Sequence, residues 1–350
     1  MSSLHAEAEQ AAHQALAAYA IAPTAISPLT AGLINTTWEV TTPSSTRFVL
    51  QRLHPTFPPE VNLNLECVTR HLADKGLPTP RLCATPDGDW WVMQGSAVWR
   101  LLTFMPGHSF ATLPDLAHAH TAGRLLGAFH AALADFTAPL PYSRAPVHEP
   151  ARHQAALQDA LARHTDHRWA RAVGTLATEA TDRLATLPAV AMTPRRLIHG
   201  DPKLSNLRFD TQTTSGCLVD LDTLVRAPLA YELGDALRSW CNPHAEDAAE
   251  TRVELSILEA ALTGYAQATR HYLLPEEASS IVTATEAVYL ELAMRFAADV
   301  LHEAYFGWDP ARFATRGDHN LQRARNQLAC ARLLAAQRPA AEQIVRRLFA

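Results

Sequence analysis

The clearest chemical signal in the sequence is the run from His199 to Asn206, which reads HGDPKLSN. Phosphoryl transfer from a nucleotide needs a carboxylate that accepts the proton of the attacking hydroxyl, and oxygen ligands for Mg²⁺ on the phosphates. The spacing predicts Asp201 as the catalytic base and Asn206 as one metal ligand. Asp220, at the end of the apolar run 217–219, is predicted to be the second metal ligand.

Two further charged residues accompany this set. Lys203 lies just past the base and is predicted to meet the transferring phosphate. Asp222 is either a further metal ligand or a partner just outside the coordination shell of the metal. The alternative is that Asp201 caps a helix and Asp220 ends a strand by coincidence. Any one residue alone fits that alternative, but several in this order favour the catalytic interpretation.

Two residues near the catalytic run are predicted to hold it rather than to react. His199 is interpreted as an imidazole that orients the loop. Asp235, on the helix that follows, is expected to accept hydrogen bonds from backbone N–H groups of the loop. Both predictions describe a scaffold that keeps Asp201 in place.

The elements that must position these residues change in kind along the chain. Strands are predicted within 26–52, 90–93 and 98–104, with a helix over 60–75 between them. From residue 115 onward, apolar residues recur at three- and four-residue steps, which is typical of buried helix faces. The pattern predicts a small β-rich lobe at 1–104, a hinge at about 102–107 and a large helical lobe at 108–350.

A turn between the first predicted strands is a second candidate for phosphate binding. Gly32 would let the backbone approach a phosphate, and Asn35, Thr36 and Thr37 carry side-chain donors. Such residues are also ordinary in hairpin turns, so the interpretation rests on their position before a strand. The sequence contains neither a GxxxxGK[ST] motif nor a GxGxxG motif after a strand, which disfavours two common phosphate-binding folds.

Composition narrows the class of protein. The 350 residues are 48% hydrophobic and 19% charged with a net charge of −5, which predicts a globular protein without a nucleic-acid or anionic-membrane partner. The five cysteines lie far apart, and the sequence shows neither a signal-peptide pattern nor an uninterrupted apolar stretch of membrane-spanning length. A cytoplasmic protein with free thiols is therefore expected.

Segments across most of the chain resemble the aminoglycoside phosphotransferase superfamily, and within it the N-acetylhexosamine 1-kinases. The 199–206 run is specific for the superfamily, and the C-terminal segments are similar to the sugar-kinase branch. The segments concerned are 32–37, 48–52, 99–100, 104–107, 199–206, 219–223, 234–238, 290–291, 295–296, 305–306 and 320–325. The resemblance implies an α+β, two-lobed protein-kinase-like fold, with a small β-rich N-terminal lobe, a large mostly helical C-terminal lobe, and ATP and Mg²⁺ as cofactors.

The resemblance also implies roles for residues outside the catalytic run. ATP is expected at the hinge near Thr103 and Met105, with Glu66 as the helix carboxylate that faces the ATP-binding strand. Asp201 is expected to activate the anomeric hydroxyl of a hexosamine. Arg295 and Tyr305 match positions that look like sugar contacts in that branch.

The chain departs from the usual kinase pattern on the third strand. Most kinases keep a phosphate-binding lysine there, whereas this chain has Gln51 followed by Arg52, as the hexosamine kinases do. The usual lysine–glutamate pair therefore cannot be assumed for Glu66. Because alternation sends neighbouring side chains to opposite faces of a strand, only one of the two residues can point at ATP, and we predict Gln51.

The acceptor side admits more than one interpretation. Glu291, Arg295 and Asp299 recur every four residues on a predicted helix, either as surface ion pairs or as a polar stripe that lines a sugar pocket. The segment 148–152 is either a lid or the start of a helix. The alternatives to a sugar are an amino alcohol, homoserine or an aminoglycoside as acceptor, and an ATP-binding pseudokinase without activity.

Overall fold

A computed structural model describes residues 2–29, 35–210, 215–269 and 272–349. Gly32, predicted to approach a phosphate, lies outside the described residues. The strands are β1 Ala25–Leu29, β2 Thr36–Thr41, β3 Arg47–Arg52, β4 Leu82–Cys83, β5 Val92–Gln94, β6 Ala97–Thr103, β7 Arg195–Ile198, β8 Leu207–Phe209, β9 Gly216–Leu218 and β10 Val225–Pro228. The helices are α1 Ser2–Ala18, α2 Val61–Asp74, α3 Leu116–Ala132, α4 Pro150–Arg163, α5 Ala170–Thr186, α6 Leu229–Trp240, α7 Leu255–Thr269, α8 Pro275–Ser279, α9 Ile281–His302 and α10 Arg316–Phe349.

The N-terminal lobe is built on one antiparallel sheet, in the order β1-β2-β3-β6-β4, with β5 also paired to β6. Its outer face is apolar: Trp38 on β2 stacks on Trp99 on β6, with ring centres 5.3 Å apart. Helix α1 covers this face with Ala12 and Leu16, which are buried in the same cluster. No helix is predicted there from the sequence. The apolar face of the sheet would otherwise meet water, which explains why this segment folds onto it.

The opposite face of the sheet points toward α2 and the second lobe. Directly opposed residues on neighbouring strands share a face, and Thr37, Gln51 and Arg100 are opposed across β2, β3 and β6. This row is polar, whereas the row facing α1 is apolar. The alternation of the three strands therefore separates a packing face from a face available for chemistry.

The second lobe is a packed set of helices with two short strand pairs at its top. Helix α9 is buried along most of its length and packs against α4, α5, α6 and α10, while α3 packs against α7. The pairs β7–β10 and β8–β9 are both antiparallel. The loop after β7 and the end of β9 carry the residues predicted to do chemistry.

The predicted fold is confirmed: the structure has a small antiparallel β-rich lobe followed by a mostly helical region. Among the described helices, none is both long and apolar enough to cross a membrane. The five cysteines are free, and Cys217, Cys241 and Cys330 are buried. The exact limits of the two lobes stay a prediction.

Candidate active site

The loop after β7 brings the predicted base and one predicted metal ligand together. The side-chain nitrogen of Asn206 donates to the main-chain oxygen of Asp201 at 2.8 Å and to its carboxylate at 3.2 Å. Both hydrogens of this amide are thus directed at Asp201, and its oxygen is the atom that remains for a metal. Gly200 makes the turn possible, because its φ is +87° and a Cβ there would lie 2.4 Å from the Thr223 oxygen.

Lys203 lies directly against the predicted base. Its ammonium group forms an ion pair with Asp201 and is mostly shielded from solvent. Burial alone would lower the pKa of Lys203, but the carboxylates of Asp201 and Asp220 outweigh burial and raise it. The amine therefore stays charged, as a group beside a transferring phosphate should be.

Asp220 lies next to the same loop, because the main-chain N–H of the preceding residue, Val219, donates to the main-chain oxygen of Asn206 at 2.8 Å. Its backbone is left-handed, with φ 65° and ψ 54°, at the start of the short 3₁₀ helix Leu221–Thr223. Part of Asp220 is exposed to solvent. The surrounding protein nevertheless desolvates its carboxylate, and this desolvation, together with the negative charge of the nearby Asp222, raises the pKa of Asp220. A divalent cation would offset this crowding of negative charge.

The donor set fits a hard divalent cation. Asp220 and the Asn206 amide supply oxygen ligands, the type that Mg²⁺ prefers, and a nucleotide would complete its coordination with phosphate oxygens. Among the described residues no cluster of three His, Cys, Asp or Glu side chains forms a metal site of its own. Two protein ligands plus substrate phosphates are the arrangement expected for Mg²⁺ in such enzymes.

Glu232, rather than Asp235, holds the catalytic loop. One Glu232 oxygen accepts from the N–H of His199 at 2.9 Å, and the other from the N–H of Gly200 at 2.8 Å. The predicted role of Asp235 was therefore wrong: its Oδ1 accepts from Arg238 at 2.7 Å. Glu232 and Asp235 lie nearly one turn apart on α6, and the first carboxylate is the one below the loop.

His199 orients the loop as predicted from the sequence. Its Nε2 lies 2.9 Å from the main-chain oxygen of Val219, and the Asp201 N–H donates to its Nδ1 at 3.3 Å. The ring is fully buried. It therefore connects the base to the strand that leads into Asp220.

Gln51 and Arg52 lie on opposite sides of β3, as alternation requires. Arg52 is exposed, whereas the Gln51 oxygen accepts from Nε and Nη2 of Arg100 at 2.8 and 2.6 Å. The Gln51 nitrogen donates to the Thr37 hydroxyl at 3.3 Å. Gln51 is thus the residue on the inner face, while its contact with ATP stays a prediction. Thr36, at the start of β2, is exposed.

Asn35 and Asp222 are joined to each other across the two lobes. The Asn35 nitrogen donates to Oδ2 of Asp222 at 2.8 Å, and the Asn35 oxygen accepts from the His54 N–H at 2.9 Å. Asp222 also accepts at Oδ1 from Arg100 at 2.5 Å. Asn35, predicted to bind phosphate, and Asp222, predicted as a possible metal ligand, are therefore both hydrogen-bonded to protein groups in this structure.

Within the part of the chain that the structure describes, no ion pair or side-chain hydrogen bond joins Glu66 to a strand. Its ion-pair partner among the described residues is Arg70, one turn further along α2, at 3.3 Å. Asn62 on α2 does reach the sheet, where its oxygen accepts from Arg100 at 3.2 Å. A polar contact between α2 and the sheet is thus made by Asn62 and Arg100 on β6, not by Glu66 and a residue of the third strand.

The hinge follows β6. Thr103 ends this strand, and its hydroxyl accepts from the Arg81 N–H at 2.9 Å, which ties β4 to β6. Met105 is half-buried in the segment that follows. Gly107 has φ +103°, and a Cβ there would lie 2.4 Å from the Phe209 oxygen. The hinge therefore passes so close to β8 that only glycine fits.

The predicted acceptor residues lie close to one short loop: Tyr305 is in the loop that follows α9, and Arg295 is on α9 itself. Tyr305 is 52% exposed, and its ring centre is 4.9 Å from that of Phe306. The Arg295 guanidinium lies 5.8 Å from the Phe306 ring centre. The two rings and the guanidinium therefore lie around the same loop.

The residues around Arg295 are not surface ion pairs. Glu291 and Asp299 are buried, and the Arg295–Glu291 distance is 3.9 Å, too long for a hydrogen bond. Glu291 instead contacts His148 at 3.0 Å. Asp299 accepts from the N–H groups of three consecutive loop residues, 304–306. Residues 150–152 form the start of α4, so that alternative is decided in favour of a helix.

Sequence reasoning missed Arg100, Glu232 and Asn62 as parts of this region. Arg100 was named only within a family segment, although a single charged residue in the largely apolar strand 97–103 was a usable signal. The other two had no signal in their spacing. Their roles come from contacts between distant parts of the chain.

Together, the two-lobed fold and the Asp201 loop define a phosphotransferase of the kinase-like class. The sequence profile of the phosphotransferase enzyme family, APH, matches residues 25–268. The chain belongs to this family, which confirms the resemblance to aminoglycoside phosphotransferases.

Solved structures show the same fold at low sequence identity. An amicoumacin kinase in complex with AMP-PNP, Ca²⁺ and Ami is 15% identical, with a TM-score of 0.65 over 91% of this chain and 92% of its own. A microcompartment-associated aminopropanol kinase is 17% identical, with a TM-score of 0.64 over 96% and 98% of the two chains. An aminoglycoside phosphotransferase from Alicyclobacillus acidocaldarius is 17% identical, with a TM-score of 0.57 over 95% and 96%.

Proposed function

We propose that this protein is an ATP- and Mg²⁺-dependent kinase that phosphorylates a hydroxyl group of a small molecule. The observation that carries the proposal is that Asp201, Asn206 and Asp220 lie together. The Asn206 side-chain amide donates hydrogen bonds to Asp201, and the main-chain hydrogen bond from Val219 to Asn206 brings the neighbouring Asp220 beside them. The set matches the base and the two metal ligands that phosphoryl transfer requires. A bound Mg²⁺ would neutralise charge on the phosphates.

Asp201 acts as the base in this proposal. It accepts the proton of the acceptor hydroxyl as the oxygen attacks the terminal phosphorus of ATP, and ADP leaves. Before transfer, Asp201 is paired with Lys203. Once Asp201 has taken the proton, its carboxyl is neutral, and the Lys203 ammonium is free to follow the negative phosphoryl group.

For the acceptor, we propose the anomeric hydroxyl of an N-acetylhexosamine or a related sugar. The proposal rests on the sequence resemblance and is supported by the exposed ring of Tyr305 beside Phe306 and Arg295. Binding sites for small molecules combine aromatic surfaces with a few placed polar groups. Here the rings offer a surface for the C–H face of a sugar, and Arg295 offers donors to its oxygens.

The charges around this loop favour a sugar over a cationic acceptor. A site for an aminoglycoside or an amino alcohol needs carboxylates that are free to pair with ammonium groups. Of the nearby described carboxylates, Asp299 is bonded to loop amides, whereas Asp235 and Glu291 are buried against Arg238 and His148 and so are not exposed to an acceptor. The intact set at Asp201 also argues against a pseudokinase.

A substrate screen tests the proposal. Purified protein with ATP and Mg²⁺ is given N-acetylglucosamine, N-acetylgalactosamine, N-acetylmuramic acid and free hexoses, and ethanolamine, homoserine and kanamycin in parallel. Formation of ADP is measured against the Asp201→Asn variant as background. We expect turnover with at least one sugar. Turnover with ethanolamine, homoserine or kanamycin but with none of the other sugars contradicts the proposed sugar acceptor. If none of the compounds is phosphorylated, the kinase assignment is contradicted.

A further inference from the structure

A buried arginine connects the two lobes. Arg100 on β6 is 1% exposed, and its Nη1 donates to Asp222 of the second lobe at 2.5 Å and to Asn62 on α2 at 3.2 Å. Its Nε and Nη2 both donate to Gln51 on β3. Four of the five N–H donors of a guanidinium are thus directed at protein atoms. Arg100 is therefore built to hold protein groups rather than to bind a phosphate itself.

Asp222 is the other half of this connection. Its two carboxylate oxygens accept from Arg100 and from Asn35, which both belong to the first lobe. Arg144 donates to its main-chain oxygen at 2.7 Å. The side chain is 1% exposed, so its charge is compensated by Arg100 and hidden from a metal in the cleft. A carboxylate held in this way is a poor candidate for a metal ligand.

We propose that Arg100 and Asp222 form an inter-lobe clamp that positions Asp220 for the metal and nucleotide phosphates. The clamp stands in for the strand lysine and helix glutamate that this chain does not pair. The inference rests on the proposed kinase function and deepens it. Asp222 is then a positioning residue, and Asn35 supports the clamp rather than binding a phosphate.

The geometry explains how the clamp acts on Asp220. Leu221 alone separates Asp220 from Asp222, and Asp220 has a left-handed backbone at the start of the 3₁₀ helix. Such a conformation in a non-glycine residue is costly and persists only where surrounding contacts impose it. The bonds from Arg100, Asn35 and Arg144 to Asp222 fix the residue that follows this turn. Nucleotide binding and lobe closure are therefore coupled through one buried ion pair.

The clamp is tested by a mutant cycle with Mg–ADP and no acceptor, so that the result does not depend on the sugar proposal. The variants are Arg100→Met, Asp222→Asn and the double variant, and the control is Arg52→Met on the outer side of the neighbouring strand. Titration calorimetry gives the Kd for Mg–ADP, and amide hydrogen exchange follows residues 217–223. Because the double variant removes both buried charges, it tests the pair even where Arg100→Met alone folds poorly.

We expect each single variant to weaken Mg–ADP binding about 10-fold and to accelerate exchange at 217–223, since residues in one network couple strongly. The Kd of the double variant for Mg–ADP should be no higher than that of whichever single variant binds Mg–ADP less tightly. The Kd of Arg52→Met should match that of the wild type. Additive losses in the double variant contradict the clamp. So does an Asp222→Asn variant that alone raises the Mg²⁺ requirement while Arg100→Met binds normally, because Asp222 is then a metal ligand.

Discussion

The Asn206 side chain holds both the backbone and the carboxylate of Asp201, at 2.8 and 3.2 Å. The residue that would bind the metal therefore also fixes the residue that would take the proton. Because both bonds come from one amide group, the distance between base and metal is set within a single short loop. In phosphoryl transfer the protein forms no covalent bond to the substrate and acts mainly by holding the reacting groups in place. A fixed distance between base and metal serves this purpose.

The first prediction concerns the base. Asp201→Asn should lower kcat about 10²–10⁴-fold, because the amide cannot accept the hydroxyl proton. The Kd for Mg–ADP should change little, since the metal ligands remain. Ser205→Ala is the matched control, because Ser205 is exposed in the same loop. A variant with normal kcat would exclude Asp201 as the base.

The second prediction concerns the loop support. Glu232→Gln replaces one accepting oxygen by a donor, so one of the His199 and Gly200 N–H groups loses its buried partner. We expect a loss of about 1–3 kcal/mol in the free energy of unfolding, measured with urea. We also expect faster hydrogen exchange at these two amides and a lower kcat.

Glu276→Gln, at an exposed position on α8, is the control for loss of a carboxylate. It should leave unfolding, exchange and kcat unchanged. If Glu232→Gln leaves exchange at the amides of His199 and Gly200 unaltered, Glu232 does not hold the loop in solution.

The sequence predicted what is encoded locally. Asp201, Asn206 and Asp220 are found by spacing because one loop and one strand end bring them together. The side of β3 on which Gln51 lies follows from alternation, which is also a local property. The β-rich and helical regions were visible as two different periods in the apolar residues.

Contacts between distant segments were not predictable in this way. Arg100 and Asp222 lie 122 residues apart, and nothing in either neighbourhood indicates the other. Glu232 and Asp235 lie on one helix, so spacing alone could not tell which of them reaches the loop. Asp299 had the four-residue spacing of a surface ion pair, and its burial is a property of the packed fold.

The third prediction is a pH dependence of stability that comes from His148. Burial alone would lower its pKa, but the carboxylates of Glu291 and Asp235 outweigh burial and raise the pKa to about 10. The unfolded value is about 6.5. The charged imidazole therefore stabilises the fold fully below about pH 6.5, and this contribution is lost as the pH rises toward about 10.

We expect the wild type to lose its stability advantage over His148→Gln between pH 7 and 10, measured as the free energy of unfolding at each pH. The neighbours His153, Arg238 and Arg295 are the same in both proteins, so the difference isolates His148. His13→Gln, on the exposed side of α1, should follow the wild type. Parallel curves for wild type and His148→Gln would show that the imidazole is not charged between its two carboxylates.

The fourth prediction concerns the loop that carries Tyr305. Asp299 accepts from the N–H groups of 304, 305 and 306 at 3.0, 2.9 and 2.8 Å, and from Asn320 at 2.8 Å. Asp299→Ala removes all four bonds, and each bond to a charged group contributes about 1.5–3 kcal/mol. Asp299→Asn keeps the shape and one accepting oxygen. Both variants should therefore loosen the loop, the alanine variant more.

Because this loop carries Tyr305 and Phe306 but no predicted ATP contact, the loss should fall on the acceptor. We expect KM for the sugar to rise about 10-fold or more in Asp299→Ala and less in Asp299→Asn, while KM for ATP stays within about twofold. Asp166→Ala, at an exposed position, is the control. An equal rise in both KM values would mean that the variant disturbs the whole lobe. An unchanged sugar KM in a loosened loop would place the acceptor elsewhere in the cleft, because the ring of Tyr305 would then have no part in binding it.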